Sequence, residues 1–124
     1  MAHPTRIQAV AFDAFGTLFD VYSVGLLAEQ LYPGKGSQLA DLWRLKQIEY
    51  SFIRTLSGRY KPFWDVTQDG LVFAAAKLGL ELDPPRRTQL MNQYACLSPF
   101  PENLSALRAL KAIGVPTAIL SNGT

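Results

Sequence analysis

Asp13 closes an apolar run that begins at Ile7, and Gly16 and Thr17 turn the chain directly after it. A short apolar run between turn residues has the pattern of a fully buried parallel strand. In open α/β sheets ligands bind outside the carboxyl ends of such strands, so Asp13 stands where chemistry would happen. A carboxylate buried without a partner is costly, and an Asp at this place needs a reason. A second apolar run, Val115 to Leu120, ends on Ser121-Asn122-Gly123-Thr124 and puts two more polar side chains at a strand end. Taken alone, Ser121 and Asn122 would also make an ordinary turn. Arg44 sits mid-helix beside Trp43. A guanidinium suits anions, but on spacing alone a surface pair with Asp41 is the simpler reading. The single histidine is His3, near the start, and the single cysteine is Cys96, in the apolar patch Tyr94–Leu97. Cys96 therefore reads as a small core residue, and Ser-His, Cys-His and His-ligated metal chemistry are not expected.

Helices must carry everything between the two strands. Asp20 can cap a helix bearing Leu26, Leu27 and Leu31, which Pro33-Gly34-Lys35-Gly36 stops. Gln38 to Leu56 repeats apolar residues at intervals of three and four, and Ser57-Gly58 ends it. An aromatic loop, Arg59 to Trp64, leads to a helix that Asp65 or Thr67 can cap and Gly79 closes. Asp83-Pro84 is an N-cap and N1 pair for a fourth helix with Leu90, Met91, Tyr94 and Leu97. After Ser98-Pro99-Phe100-Pro101 a fifth helix holds Leu104, Leu107, Leu110 and Ile113, and Gly114 stops it.

A crossover between parallel strands needs only one helix, and the helix after Pro101 supplies it. The residues between Asp20 and Leu97 are then surplus to the sheet. The expected fold class is α/β: an incomplete Rossmann-like parallel-sheet core, residues 1–19 and 98–124, with an inserted helical cap domain, residues 20–97, lying over the strand ends. Two strands and one crossover leave a sheet uncovered, so these residues are expected to be the N-terminal portion of a longer chain.

The totals narrow the function. With 124 residues, 48% of them apolar, the chain can bury a real core. Twelve basic against ten acidic residues, scattered, give +2 and no basic run for nucleic acid or an anionic membrane. No signal core or membrane span is visible, and a lone cysteine fits a reducing compartment, so a cytoplasmic enzyme is expected.

Asp13-Ala14-Phe15-Gly16-Thr17-Leu18 after a strand, with Leu120-Ser121-Asn122-Gly123 ending a later one, resembles the haloacid dehalogenase superfamily. Phe12 to Asp20 together with Leu42-Trp43-Arg44-Leu45-Lys46-Gln47-Ile48-Glu49-Tyr50 makes the likeness closest to L-2-haloacid dehalogenases. In phosphatases of this superfamily a second Asp, two residues after the nucleophile, protonates the alkoxide that leaves. Here that position is Phe15, which cannot donate a proton; a halide leaves without one. Phe15 also offers magnesium only its backbone carbonyl. The resemblance therefore implies a site without metal or other cofactor that hydrolyses short L-2-haloacids to D-2-hydroxy acids. A magnesium-dependent phosphatase and a non-catalytic fragment are the alternatives.

By the same resemblance Asp13 is the nucleophile and the Thr17 hydroxyl holds its carboxylate. Arg44 binds the departing halide or the substrate carboxylate. Ser121 bonds the substrate carboxylate, and Asn122 donates its amide to the halide. Phe15, Leu45 and Phe63 form an apolar wall around the substrate's alkyl group. Plain packing would account for these three as well, and some relatives carry a polar residue at the Leu45 position. A Lys and an acidic motif are expected after Ser121, where this chain has neither. The apolar face of the inserted helices could also bury a homodimer contact, as relatives often pair there. Lys46, Glu49, Arg59 and Lys61 read as solvated charges, and Leu42, Ile53, Leu90 and Met91 as packing.

Overall fold

Two aspartates start helices by the same device. The Asp20 carboxylate accepts from the Tyr22 amide at 3.0 Å and opens a 3-10 turn, Val21–Ser23, which leads into α1, Val24–Leu31. Asp83 accepts from the Arg86 amide at 2.9 Å and opens α4, Pro84–Tyr94. Both satisfy amides that a first helical turn leaves without partners. The start of α2, Gly36–Leu56, has no cap of its own. Its cap comes from α1: Glu29 accepts from the amides of Gly34 and Gly36, which holds this carboxyl below its ordinary range. The remaining helices are α3, Phe63–Lys77, and α5, Asn103–Ala112. This computed structural model describes residues 6–123, so His3 and Thr124 lie outside the described residues.

Two strands, β1 (Val10–Phe12) and β2 (Thr117–Ile119), pair in parallel, with Val10 opposite Thr117 and Phe12 opposite Ile119. The fold is thus α/β, mostly helical with a small parallel sheet. The Leu120 amide continues the ladder to the Phe12 carbonyl at 2.8 Å. Where the chain leaves the sheet for the helices and where it returns, the two segments run side by side. The Asp20 amide bonds the Ser98 carbonyl at 2.8 Å, and the Phe100 amide bonds the Leu18 carbonyl at 3.1 Å.

The core lies among α1 to α4. Leu39, Trp43, Leu71 and Leu90 are fully buried there, with Val24 and Ala74 beside them. Several expectations need correction. Neither strand is fully buried: β1 is half-buried at Val10 and Phe12 and exposed at Ala11, and β2 is exposed throughout, Ile119 by 62%. α3 starts at Phe63, behind Pro62, rather than at Asp65 or Thr67. Thr67 is instead a buried hydroxyl. Cys96 is exposed. Ile53 is exposed as well, whereas Leu90 and Met91 are core residues and Leu42 packs against the core. The α2 stripe divides: Leu39, Leu42 and Trp43 face the core, and Leu45, Ile48, Phe52, Ile53 and Leu56 do not.

Candidate active site

The parallel register sets the site. Asp13 and Ser121 each stand just past the last ladder bonds of adjacent strands, so both reach the same end of the sheet. An open cleft of about 690 Å³ begins there and is closed on its other side by α2 and the loop before α3. Asp13, Phe15, Arg44, Phe63, Ser121 and Asn122 all line it. Thr17 stands behind Asp13, its Oγ1 3.3 Å from Asp13 Oδ2. This is a long contact for a hydroxyl on a carboxylate. Asp13 is exposed among the described residues rather than buried.

The cleft walls differ in character. Phe15 and Phe63 pack with ring centroids 5.1 Å apart, and Tyr94 lies 6.0 Å from Phe15 on the side away from solvent. This pair makes an apolar wall next to Asp13. In the same cleft Arg44 supplies a cation. Its Nη1 donates to Gln47 Oε1 at 2.7 Å, and no ion pair with Asp41 is formed. At the strand end the Ser121 hydroxyl accepts from the Gly123 amide at 3.0 Å and fixes the turn that carries Asn122.

Leu45 departs from the expectation: it is 57% exposed and not part of the cleft lining. One residue after Arg44, it is rotated about 100° round the helix. The residues that share Arg44's face are Ile48, Ser51, Phe52 and Thr55, and all four line the cleft. Their spacing of four, seven, eight and eleven from Arg44 is a helical face and was available in the sequence. Tyr60 and Lys61 complete the lining from the loop before α3. Lys61, expected as a solvated charge, is half exposed but edges the cleft, 3.6 Å from Asp69. No sequence signal marked these two, since only the loop's path brings them to Asp13. Lys46 is paired with Glu49 at 2.7 Å and lies over the Phe73 ring.

A strand-end carboxylate, an arginine from the helices between the strands and a Ser-Asn turn on the neighbouring strand thus line one cleft. Known proteins share the chain's sequence and fold. The (S)-2-haloacid dehalogenase of Pseudomonas putida is 45% identical over 119 residues, which is 96% of this chain and 52% of that protein. Among solved structures, an L-2-haloacid dehalogenase is 57% identical with a TM-score of 0.91, covering 97% of this chain and 55% of its own. The L-2-haloacid dehalogenase from Xanthobacter autotrophicus, solved with chloropropionic acid covalently bound, is 44% identical with a TM-score of 0.87 and coverages of 96% and 48%. No protein-family model matches the chain. Over nearly its whole length the chain is similar to members of the haloacid dehalogenase superfamily. Within it, the likeness is to the L-2-haloacid dehalogenases, and the chain spans about half the length of the curated relatives it matches.

Proposed function

We propose that this chain carries the nucleophile and the anion-binding wall of a hydrolytic dehalogenase acting on short L-2-haloacids. The observation that carries the reading is the single cleft that Asp13, Arg44 and the packed rings of Phe15 and Phe63 line together. A carboxylate oxygen of Asp13 attacks the halogen-bearing carbon from the side opposite the halogen. The new carbon–oxygen bond forms as the carbon–halogen pair departs with the halide, leaving an ester on Asp13. Water then attacks the Asp13 carbonyl carbon, the acyl–oxygen bond breaks, and a D-2-hydroxy acid, a proton and the regenerated carboxylate result. Arg44 and Asn122 receive the halide, Ser121 holds the substrate carboxylate, and Thr17 orients Asp13. Phe15 and Phe63 exclude water from the carbon under attack, and Phe15 in the place of an acid suits a leaving group that needs no proton. The covalent chloropropionate on the Xanthobacter relative supports an ester route here.

Residues 20–97 act in this reading as a cap over the strand ends, and the adjoining bonds of Asp20 to Ser98 and Leu18 to Phe100 would form its base. The exposed apolar side chains of Ile53 and Leu56 on α2 suit a homodimer contact through the cap. No helix among the described residues is long and apolar enough to cross a membrane. A cytoplasmic location agrees with the single cysteine.

The test is halide release from L-2-chloropropionate by the full-length protein that carries this chain, with and without chelator. Expected are release unaffected by chelator, inversion at carbon, and in a single turnover in labelled water the label in Asp13. Activity abolished by chelation, or retained in Asp13→Asn, would overturn the reading.

A further inference from the structure

We propose that Gln47 is a positioning residue: it fixes the Arg44 guanidinium and the Phe63 backbone relative to each other, so that both cleft walls are set by one buried amide. The proposal rests on the dehalogenase reading above and adds to it a residue outside the cleft lining.

Gln47 is fully buried, an uncommon place for an amide unless its polar atoms are satisfied. Its partners leave it a single orientation. Thr67 Oγ1 donates its one proton to the Phe63 carbonyl at 2.7 Å, so it can only accept from Gln47, and the 2.7 Å contact between them is made by Nε2. Oε1 then points the other way, where it meets two donors. Arg44 Nη1 lies at 2.7 Å and the Tyr94 hydroxyl also at 2.7 Å. Burial pushes the Tyr94 phenol up, which keeps it a neutral donor. A flipped amide would set Nε2 against both donors, so the network holds only as observed.

The chain of bonds has a direction. From Arg44 it passes through Gln47 to Thr67, and from Thr67 to the carbonyl of Phe63. Trp43, next to Arg44, donates its indole N–H to the Thr67 carbonyl at 2.7 Å and ties the same two helices again. At this level α2 and α3 approach closely: a Cβ on Gly70 would lie 3.2 Å from the Gln47 backbone nitrogen. The close approach holds the α2 backbone at Gln47 against α3. An uncharged acceptor also has a chemical consequence. It directs the guanidinium while leaving its whole positive charge for an anion in the cleft, whereas a carboxylate at this place would neutralise it.

The experiment uses the full-length protein with L-2-chloropropionate and L-2-bromopropionate. If Gln47 acts through Arg44, Gln47→Glu and Gln47→Met lower kcat/KM by about 10- to 100-fold, since misplacing a group near the reacting atoms by about 1 Å can cost that much. The loss is greater for the chloro substrate, because the poorer leaving group depends more on the aligned cation. The bromo/chloro ratio of kcat/KM therefore rises roughly threefold or more, in the direction set by Arg44→Ala. In an Arg44→Ala background, Gln47→Met then costs far less than in the parent, because only its hold on Phe63 through Thr67 remains. Tyr94→Phe, which removes one contact to Oε1 and keeps the packing, moves the ratio the same way by a smaller factor and carries the test if the Gln47 variants fail to fold. A ratio unchanged in the folded variants, or losses that add in the double variant, would overturn the positioning role while Asp13→Asn still marks the nucleophile. No halide release from either substrate by the unaltered protein would instead remove the function on which the role depends.

Discussion

Gly123 and the ring of Phe15 are in such close approach that a Cβ on Gly123 would overlap Phe15 Cε2 and lie 3.1 Å from Cζ. The glycine after Ser121 and Asn122 is thereby coupled to the apolar wall beside Asp13. Its hydrogen is what lets the end of one strand pass against the side chain that follows the other.

Gly123→Ala is expected to displace the Phe15 ring into the cleft and lower kcat/KM by roughly tenfold, since small misplacements near the reacting atoms are expensive. Thermal stability should change little, because Phe15 borders open space. Steady-state kinetics together with a melting curve check this; unchanged kinetics would mean that the ring yields without cost.

Thr17→Val keeps the shape of the side chain and removes its hydroxyl. The contact to Asp13 is long and exposed, which puts it at the weak end of hydrogen bonds to charged groups. A fall in kcat of roughly fivefold to tenfold is expected, with KM nearly constant, read from initial rates of halide release.

Gly36→Ala tests the α1–α2 contact, where space and not conformation demands glycine. A Cβ there would sit 2.5 Å from Glu29 Cα and 2.6 Å from its Cβ, so backbone must move. Overpacking of this kind costs about 1–3 kcal/mol, measurable as a lower urea midpoint. Glu29→Gln removes the carboxylate that caps α2. The Glu29 carboxyl is held below its ordinary 4.5, so its contribution is present above that value and lost as pH falls through the folded one. Glu29→Gln should therefore differ from the parent in urea midpoint at neutral pH and converge with it in acid.

The Tyr94 phenol gives the opposite pH dependence. Burial raises it above its ordinary 10.0, against the opposing effect of the Arg44 cation. The unfolded chain loses this proton first, so the contribution to stability is whole below the ordinary value and is lost as pH rises through the folded one. Tyr32 is raised as well, again by burial first. Urea midpoints measured from about pH 8 to about pH 11 should fall for the parent and fall less steeply for Tyr94→Phe.

The helix boundaries were legible where a local signal does the work. Asp83 caps α4, and glycines 58 and 79 follow α2 and α3 with φ of +70° and +67°, values that favour glycine. The start of α3 was not legible, because Asp65 and Thr67 carry the cap signature but Thr67 is drawn into the core by Gln47. Cys96 was misplaced for a related reason: its apolar neighbours Tyr94 and Leu97 turn inward, and Cys96 does not.

The sequence by itself determined the strand-end position of Asp13, the second strand end at Ser121 and Asn122, and the helical insertion between them. These depend on local apolar runs and turn residues, which one stretch of chain specifies alone. The tertiary structure decided which face of α2 meets Asp13. Ile48, Ser51, Phe52 and Thr55 enter the cleft and Leu45 leaves it, because Trp43 and Gln47 bury the other side of the helix against α3 and Tyr94. A helix's own periodicity defines its faces, but only what packs against one of them fixes where the others point.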